Sequence, residues 1–337
     1  MEIREMLGRL VAGGNLRLEE ARWMMDRIMS GEMTQAQIGA YLTALRMKGE
    51  TVEEIAGSAM TMRAHASRVR ASGTVIDTCG TGGDGLGTFN ISTTVAFVVA
   101  ACGVTVAKHG NRAISSKSGS ADLLFALGVK IDLEPHRVEA CLDEAGIGFL
   151  FAPRHHGAMR HAMGPRQELG YRTLFNLLGP LTNPAGAKRQ LLGVFSARWV
   201  EPVARALGLL GSEHAMVVHG SDGLDEITTT GPTLVAEWTP AGALHTWTLD
   251  PADYGIPLVR PEELAGGDAP HNAAITRRIL EGASGPHREI VLLNAAAALR
   301  VAGVVADIPA GIALAAQALD QGLALARLQQ LVRVSNA

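Results

Sequence analysis

The sequence predicts an α/β protein in which a small all-helical domain precedes a larger α/β domain with a mostly parallel central sheet and flanking helices. The chain has 337 residues, a length that favours two domains. Residues 1 to about 70 contain helix-start signals and no strand pattern. From residue 73 onward, apolar runs of strand length alternate with helical segments, which is typical of a parallel sheet.

Two capping boxes predict helices in the N-terminal part of the chain. Thr34 is followed three residues later by Gln37, and Thr51 is followed in the same way by Glu54. In this pattern the hydroxyl and the longer side chain satisfy each other's backbone N–H groups at a helix start. Each box directly precedes a run of apolar residues at helical spacing, so both helices should belong to the small domain.

A strand–loop–helix unit occurs twice at the start of the α/β part. Strand 73–79 leads through a glycine-rich loop to a helix at 91–103, and strand 104–110 leads to a short helix at 118–128. The later strand-like runs are 191–196, 215–220 and 233–238, and an Ala-rich and Leu-rich helical region covers 290–336.

Residues 155–189 interrupt this alternation with two short helices and a Pro/Gly-rich connector. They could return to pack on the N-terminal helices. The predicted domains are therefore a helical domain of residues 1–70, joined by about 160–188, and an α/β domain of residues 71–159 and 189–337.

Composition excludes several classes of protein. The formal net charge is −3, from 30 Lys and Arg against 33 Asp and Glu, whereas a nucleic-acid binder would usually carry a basic excess. The longest apolar run, 95–104, is too short to span a bilayer, and the N-terminus lacks the apolar core of a signal peptide. We expect a cytoplasmic protein with neither a nucleic acid nor a membrane as partner.

The glycine-rich segment GTGGDG at 80–85 satisfies the dinucleotide-binding pattern G-x-G-x-x-G. That interpretation also requires an acidic residue about 20 positions later, at the end of the second strand. Here the second strand ends at Lys108 and His109, with Arg112 close behind, and such a cluster would bind an anion. No G-K-[ST] sequence completes a P-loop either, so the loop is predicted to hold another phosphate ligand.

Two loops of similar chemistry follow adjacent predicted strands. Backbone N–H groups of the glycine loop and of the helix start at 91 form a favourable site for an anion, and Asn90, Ser92 and Thr93 add side-chain donors. The segment KHGNRAISSKSGS at 108–120 combines cationic side chains with serines and glycines. Together they predict a ligand with two phosphate groups at the carboxyl ends of the strands.

Asp225 and Glu226 form a pair of neighbouring carboxylates in a short loop after strand 215–220. Mg²⁺ is commonly held by one or two carboxylates together with phosphate oxygens. Beside two phosphate-type loops, this pair predicts a magnesium site rather than a solvated acidic turn.

Four segments together resemble the anthranilate phosphoribosyltransferase family over essentially the whole chain. They are GTGGDG with NIST (80–85 and 90–93), KHGNRAISSKSGSAD (108–122), GYRTLFNLLGPLTNPA (170–185) and GLDEI (223–227). The resemblance implies transfer of phosphoribose from phosphoribosyl pyrophosphate (PRPP) to the amine of anthranilate, a step of tryptophan biosynthesis that releases pyrophosphate. It also implies a homodimer formed through the helical domain.

The resemblance assigns site residues by position. Lys108, Asn111 and Arg166 would be catalytic, and Gly80, Asn111 and Arg166 would hold anthranilate. Two Mg²⁺ ions would be bound, one by Ser92 with Glu226 and one by Asp225 with Glu226. The PRPP contacts would be Gly80, Gly83, Asp84, Thr88, Asn90, Ile91, Ser92, Thr93, Lys108, His109, Gly110, Asn111, Arg112, Ala113, Ile114, Ser115, Ser116 and Ser120.

Two departures from the family pattern lie on the acceptor side. The chain has Gly164-Pro165-Arg166 where the family commonly has P-V-R, and His156-Gly157 where it commonly has H-P. His155, His156 and His161 are expected at the surface or lining the acceptor site, because imidazole ligands do not suit Mg²⁺. The alternatives are a pyrimidine nucleoside phosphorylase and a phosphoribosyltransferase with another aromatic acceptor.

Overall fold

The structure is a computed structural model that describes residues 2–113 and 117–337. The predicted PRPP contacts at Ile114, Ser115 and Ser116 lie outside the described residues.

The N-terminal part consists of helices, as the sequence predicts. They are α1 (Ile3–Val11), α2 (Leu18–Met29), α3 (Gln35–Lys48) and α4 (Val52–His65). Both capping boxes are confirmed: the Thr34 hydroxyl accepts from the Gln37 N–H at 3.2 Å, and the Thr51 hydroxyl accepts from the Glu54 N–H at 3.3 Å. Each box therefore starts the helix that follows it.

The α/β part is built on one sheet of seven strands in the order β3-β2-β1-β4-β5-β6-β7. The first five strands are parallel to their neighbours, and β6 and β7 extend the sheet in antiparallel fashion. The strands are β1 (Val75–Gly80), β2 (Thr105–Gly110), β3 (Ile147–Phe151), β4 (Arg189–Gly193), β5 (His214–Gly220), β6 (Thr233–Trp238) and β7 (Leu244–Leu249).

Two of these strands, β3 and β7, were not predicted from the sequence. β3 is a five-residue apolar run, IGFLF, which shows no alternation because nearly all of it is buried. β7 lies at the open edge of the sheet and mixes exposed polar with apolar side chains, so its pattern is weak.

Helices cover both faces of the sheet. Helix α5 is almost entirely buried against α13 and α15, and the chain leaves it at Gly103, whose φ is +87°. The helices of this part are α5 (Ile91–Ala101), α6 (Ser120–Ala126), α7 (Pro135–Ala145), α8 (Ala152–His155), α9 (Arg160–Leu169), α10 (Phe175–Leu178), α11 (Val200–Leu209), α12 (Ala269–Leu280), α13 (Pro286–Ala302), α14 (Ile308–Asp320) and α15 (Leu323–Asn336).

The second face of the sheet shares a hydrophobic core with the N-terminal helices. Leu192, Val217 and Ala236 from three strands belong to the same buried cluster as α2, α3 and α4, with α11 packed between the sheet and α4. Helix α9 packs on α3 and α2. This contact supports the proposed inclusion of residues 160–188 in the helical domain.

No single helix in the described ranges is long and apolar enough to cross a membrane. The bent pair α14 and α15, with 64° between the two helices, meets the length and composition requirement only when both are counted together.

Candidate active site

The carboxyl ends of β1, β2 and β5 bring the predicted loops to one edge of the sheet. β1 and β2 are parallel neighbours, which confirms that the glycine loop (residues 81–90) and the second loop (residues 111–119) follow adjacent strands. β5 runs parallel on the other side of β4 and is followed by Asp225 and Glu226. Ligands of open α/β sheets bind at such an edge.

The glycine loop begins in close contact with Asp225. The Gly82 N–H donates to Asp225 Oδ2 at 2.6 Å, and the Thr81 N–H donates to the Gly193 carbonyl at 2.9 Å. A Cβ on Gly80 would lie 2.4 Å from Asp225 Oδ2, so Gly80 permits this approach by having no side chain. Gly83 has φ +76°, a left-handed conformation that favours glycine.

The far end of the glycine loop is closed by residues 264–267, which sequence reasoning did not single out. Thr88 pairs with Ala265 in an isolated antiparallel bridge, and the Gly266 N–H donates to the Gly87 carbonyl at 2.9 Å. No local pattern pointed to this segment because it lies far away along the chain.

The two carboxylates are buried, and the charge of Lys108 only partly offsets the rise in the pKa of Glu226. Asp225 and Glu226 are 8% and 9% exposed, so the solvated-turn alternative is wrong. Glu226 Oε1 accepts from the Ser92 N–H at 3.1 Å, near the start of α5. Burial first, and then the charge of Asp225, raises the pKa of Glu226 to about 8. Burial, followed by the charge of Asp84, raises the pKa of Asp225 to about 7.

This arrangement fits a hard cation. Two carboxyl groups whose ionisation is suppressed by burial and by neighbouring negative charge would be stabilised in their charged form by a positive ion. Within the described residues, no three His, Cys, Asp or Glu side chains are placed to hold a metal ion together. A cation held by one or two carboxylates and by phosphate oxygens matches the usual binding of Mg²⁺.

The start of α5 lies beside these carboxylates. Ile91, Ser92 and Thr93 form its first turn, and the buried Thr93 Oγ1 has no hydrogen-bond partner among the described residues. Asn90 does not cap the helix. Its amide instead donates to the Ser118 carbonyl at 3.1 Å and accepts from the Asn272 amide at 3.0 Å, which fastens the glycine loop to the second loop and α12.

Two members of the predicted basic cluster, Lys108 and His109, lie at the end of β2 and are buried. Lys108 is 2% exposed, and its ammonium donates to the Thr78 carbonyl at 2.5 Å and lies 3.5 Å from Ser92 Oγ. Burial lowers the pKa of Lys108, partly opposed by the charge of Asp77. Burial also holds the pKa of His109 well below its usual range, so this imidazole is neutral. The Lys108 side chain therefore points into the protein, and its ammonium lies near the Ser92 hydroxyl at the start of α5.

The second loop is shaped by Asp122, which sequence reasoning did not assign to the site. Its carboxylate accepts from the Ala113 N–H at 2.9 Å, from the Gly119 N–H at 3.0 Å and from the Arg112 guanidinium at 2.9 Å. Arg112 is thus already paired. Asp122 stands three residues after Gly119 in the first turn of α6, and its bond to the Gly119 N–H is one half of a capping box. Gly119 has no side chain to complete the motif, so the sequence contains no such signal.

Three further predicted residues lie around this loop. Asn111 is exposed, and its side-chain oxygen accepts from the Arg112 N–H at 2.8 Å. Ser120 begins α6 and faces Gly110, because a Cβ on Gly110 would lie 3.1 Å from Ser120 Cβ. The loop therefore approaches the end of β2 closely.

Arg166 lies on α9 with its guanidinium 5.0 Å from the centre of the Phe175 ring. Burial lowers its pKa. Within the described residues the Arg166 guanidinium makes no hydrogen bond or ion pair, so the salt bridge to Glu168, one local alternative, does not form. A half-buried arginine without a carboxylate partner is suited to bind the carboxylate of a ligand.

His155 and His156 do not lie at the surface, which was one of the two positions expected for them. His155 and His156 are 1% and 9% exposed. His156 Nε2 lies 3.2 Å from His109 Nε2, and burial lowers the pKa of His156 to about 4. This pair is therefore uncharged.

The chain matches two protein-family models, one for each domain. Residues 4–66 match the model of the glycosyl transferase family helical bundle domain, and residues 72–325 match that of the glycosyl transferase family a/b domain. The fold and the site thus define a two-domain glycosyl transferase. The chain belongs to the anthranilate phosphoribosyltransferase family.

Several similar proteins support this family assignment. The anthranilate phosphoribosyltransferase of Paramagnetospirillum magneticum is 55% identical over 99% of this chain and 96% of its own length, and that of Moorella thermoacetica is 56% identical over 98% and 97%. The crystal structure of the Thermus thermophilus enzyme matches with a TM-score of 0.93 and 44% identity, covering 98% of this chain and 99% of that one. The Saccharomyces cerevisiae enzyme in complex with PRPP and Mg matches with a TM-score of 0.90 and 28% identity, covering 99% and 98%.

These similarities confirm the predicted family, the fold class and the predicted enzyme class. They confirm transfer of the phosphoribosyl group from PRPP to anthranilate as the predicted function. The nucleoside phosphorylase alternative is not favoured.

Proposed function

We propose that this transfer takes place at the edge of the sheet where β1, β2 and β5 end. One observation carries the proposal: the buried carboxylates of Asp225 and Glu226 bond directly to the N–H groups of Gly82 and Ser92. A cation site and an anion site are thereby joined in one place. Such a junction suits a substrate whose leaving group is a metal-bound pyrophosphate.

We infer that PRPP lies between the glycine loop and the second loop. Its phosphates would accept from backbone N–H groups of the glycine loop and of the α5 start other than those of Gly82 and Ser92, which the carboxylates engage. At the α5 start the helix dipole also favours negative charge. The orphaned hydroxyl of Thr93 supports this placement, because a buried hydroxyl without a partner is costly. The predicted contacts from Gly80 to Ser120 remain proposals on these two loops.

Mg²⁺ is the proposed cofactor, held by Asp225, Glu226 and Ser92, with two ions expected. The S. cerevisiae relative has been solved with PRPP and Mg, which supports the choice of metal. When bound, the metal supplies positive charge against the negative charge that accumulates on the departing pyrophosphate. The ammonium form of Lys108, 3.5 Å from Ser92 Oγ, would add a second positive charge near the same point.

We propose that anthranilate binds through Arg166, Asn111 and Gly80. An S. cerevisiae relative has been solved with 4-fluoroanthranilate, which supports an aromatic amine acceptor. The guanidinium of Arg166 would hold the acceptor carboxylate in a two-point contact. Because the amine lone pair is free at neutral pH, correct orientation is enough for attack on the sugar carbon, and no strong base is required.

Arg166→Ala is expected to raise the KM for anthranilate about 10- to 100-fold, the usual cost of losing hydrogen bonds to a charged group. The KM for PRPP should change by less than about twofold, because PRPP binds elsewhere. The measurement is steady-state kinetics, following the loss of anthranilate fluorescence while each substrate is varied in turn.

Arg205→Ala is the control for this experiment. Arg205 is an exposed arginine on α11, and its guanidinium pairs with Glu201 at 2.7 Å. Its substitution should leave both KM values unchanged. Equal increases of both KM values in Arg166→Ala would contradict the assignment of Arg166 to the acceptor.

We also propose a homodimer formed through the helical domain. Val11 at the end of α1 and Met47 on α3 are 75% and 83% exposed, so an interface on the helical domain that covered them would remove apolar area from water. Light scattering of the purified protein should give twice the chain mass, and Met47→Asp should lower it. A monomer at micromolar concentration would contradict the proposal. The cytoplasmic location stays a prediction.

A further inference from the structure

Arg172 reaches the glycine loop from outside it. It lies on the link (residues 170–174) between α9 and α10, and its Nη2 donates to the Gly83 carbonyl. The same guanidinium lies 4.3 Å from the centre of the Phe195 ring, just after β4. One exposed side chain therefore joins the loop to a second segment of the site.

The other backbone attachments of the glycine loop are near its two ends. Thr81 and Gly82 are held at the first end by Gly193 and Asp225, and Gly87 is held at the far end by Gly266. Arg172 holds the middle, beside Asp84.

The bond to Gly83 has a geometric consequence for the next residue. The described chain contains no cis peptide, so the Gly83 carbonyl and the Asp84 N–H point in opposite directions across one planar unit. Fixing the carbonyl toward Arg172 therefore turns the Asp84 N–H away from Arg172. The Asp84 side chain lies close enough to Asp225 for its charge to raise the pKa of Asp225, so this peptide borders the carboxylates.

The link that carries Arg172 is itself attached to the helical domain. Tyr171 and Thr43 on α3 share a hydrogen bond of 2.5 Å between their hydroxyl oxygens. The Thr173 N–H donates to the Asn176 side chain at 2.9 Å, which holds the link at its other end. A movement of the helical domain would thus reach the glycine loop through Arg172.

We propose that Arg172 is a positioning residue for the PRPP loop. By holding the Gly83 carbonyl it aims the Asp84 N–H at the pyrophosphate, and it couples the loop to the helical domain whose α9 carries Arg166. This inference rests on the proposed placement of PRPP. Arg172 is proposed to act through the glycine loop, without touching either substrate.

Arg172→Met, which keeps the length of the side chain and removes its donors, should raise the KM for PRPP about tenfold, the effect of one charge-assisted hydrogen bond. The KM for anthranilate should stay within about twofold of wild type. Arg172→Lys, which keeps one charged donor, should restore part of the loss. Hydrogen exchange of peptides covering residues 81–90 should be faster in substrate-free Arg172→Met than in wild type.

Arg198→Met is the matched control. Arg198 is also exposed and lies 4.7 Å from the centre of an aromatic ring, that of Trp199, in the same region of the chain. Its substitution removes the same kind of arginine–aromatic contact. It should leave both KM values and the exchange of residues 81–90 unchanged.

The experiment separates failure of this inference from failure of the proposed function. PRPP with Mg²⁺ must first slow exchange of residues 81–90 in the wild-type protein, and no protection there would contradict the PRPP site itself. With protection present, unchanged exchange and PRPP KM in Arg172→Met would overturn the positioning role. An equal rise of the anthranilate KM would do the same. If Arg172→Met fails to fold, Arg172→Lys and its PRPP KM decide the question.

Discussion

Glu226→Gln is expected to lower kcat/KM about 10²- to 10³-fold, the usual cost of removing one preorganised electrostatic contact from a transition state. The neutral amide has the size of the carboxylate, and its oxygen can still accept from the Ser92 N–H, so the fold should persist. What is lost is the negative charge that would hold a cation beside the pyrophosphate. The measurement is activity, by loss of anthranilate fluorescence, across a Mg²⁺ titration.

The same substitution should change how Mg²⁺ stabilises the protein at different pH values. The folded pKa values of Asp225 and Glu226, about 7 and about 8, exceed those of an unfolded chain, near 4. The metal-free protein should therefore lose stability as pH rises from about 4 to 8, since the unfolded state releases these protons first. Mg²⁺ competes with the same protons, so its stabilisation should be larger at pH 9 than at pH 6.

Thermal unfolding with and without Mg²⁺ measures this difference. At a Mg²⁺ concentration about 100 times its Kd, wild type should gain about 2.7 kcal/mol at pH 9, and Glu226→Gln should gain much less. Glu237→Gln is the control, because Glu237 is an equally buried carboxyl paired with His214 at 2.8 Å and Arg300 at 3.0 Å. It should lower stability and leave the Mg²⁺ response intact. A wild-type Mg²⁺ response in Glu226→Gln would rule out its role as a metal ligand.

Gly193→Ala is expected to lower activity at least about 100-fold, in line with the effect of an ångström-scale misplacement in an active site. A Cβ at Gly193 would lie 1.4 Å from the carbonyl oxygen of Asp225, which is main chain and cannot rotate away. To restore ordinary contact, the carboxylate loop must move by roughly 2 Å. The same crowding should destabilise the fold by several kcal/mol, as overpacking at a buried site does.

The measurement for this variant is kcat/KM together with thermal unfolding. Gly39→Ala is its control, because a Cβ at Gly39 on α3 has no neighbour within 4 Å. Alanine there should be neutral or stabilising by up to about 1 kcal/mol, the helix-propensity difference from glycine. Wild-type activity in Gly193→Ala would show that the close approach of β4 to Asp225 is not required.

Much of the scaffold and of the site chemistry could be predicted from short stretches of sequence. The capping boxes at Thr34 and Thr51 act within one helical turn, and both helices start where the sequence placed them. The strand–loop–helix order placed the glycine loop and the second loop on adjacent parallel strands. The strand β3 was missed because a short buried run without alternation does not differ from a piece of buried helix.

The sequence by itself determined which residue types meet at the site, and the tertiary structure decided how each of them is used. Lys108 was predicted as part of a basic cluster that binds an anion, and the folded chain buries its ammonium against the Thr78 carbonyl, 3.5 Å from Ser92 Oγ. Gly82 and Asp225 are 143 residues apart, and their contact depends on the order of strands in the sheet. Local hydrogen bonds and hydrophobic periodicity depend on residues that are close together in the sequence, so they can be predicted from it. Burial, charge compensation and the Arg172 contact arise only when distant segments pack together.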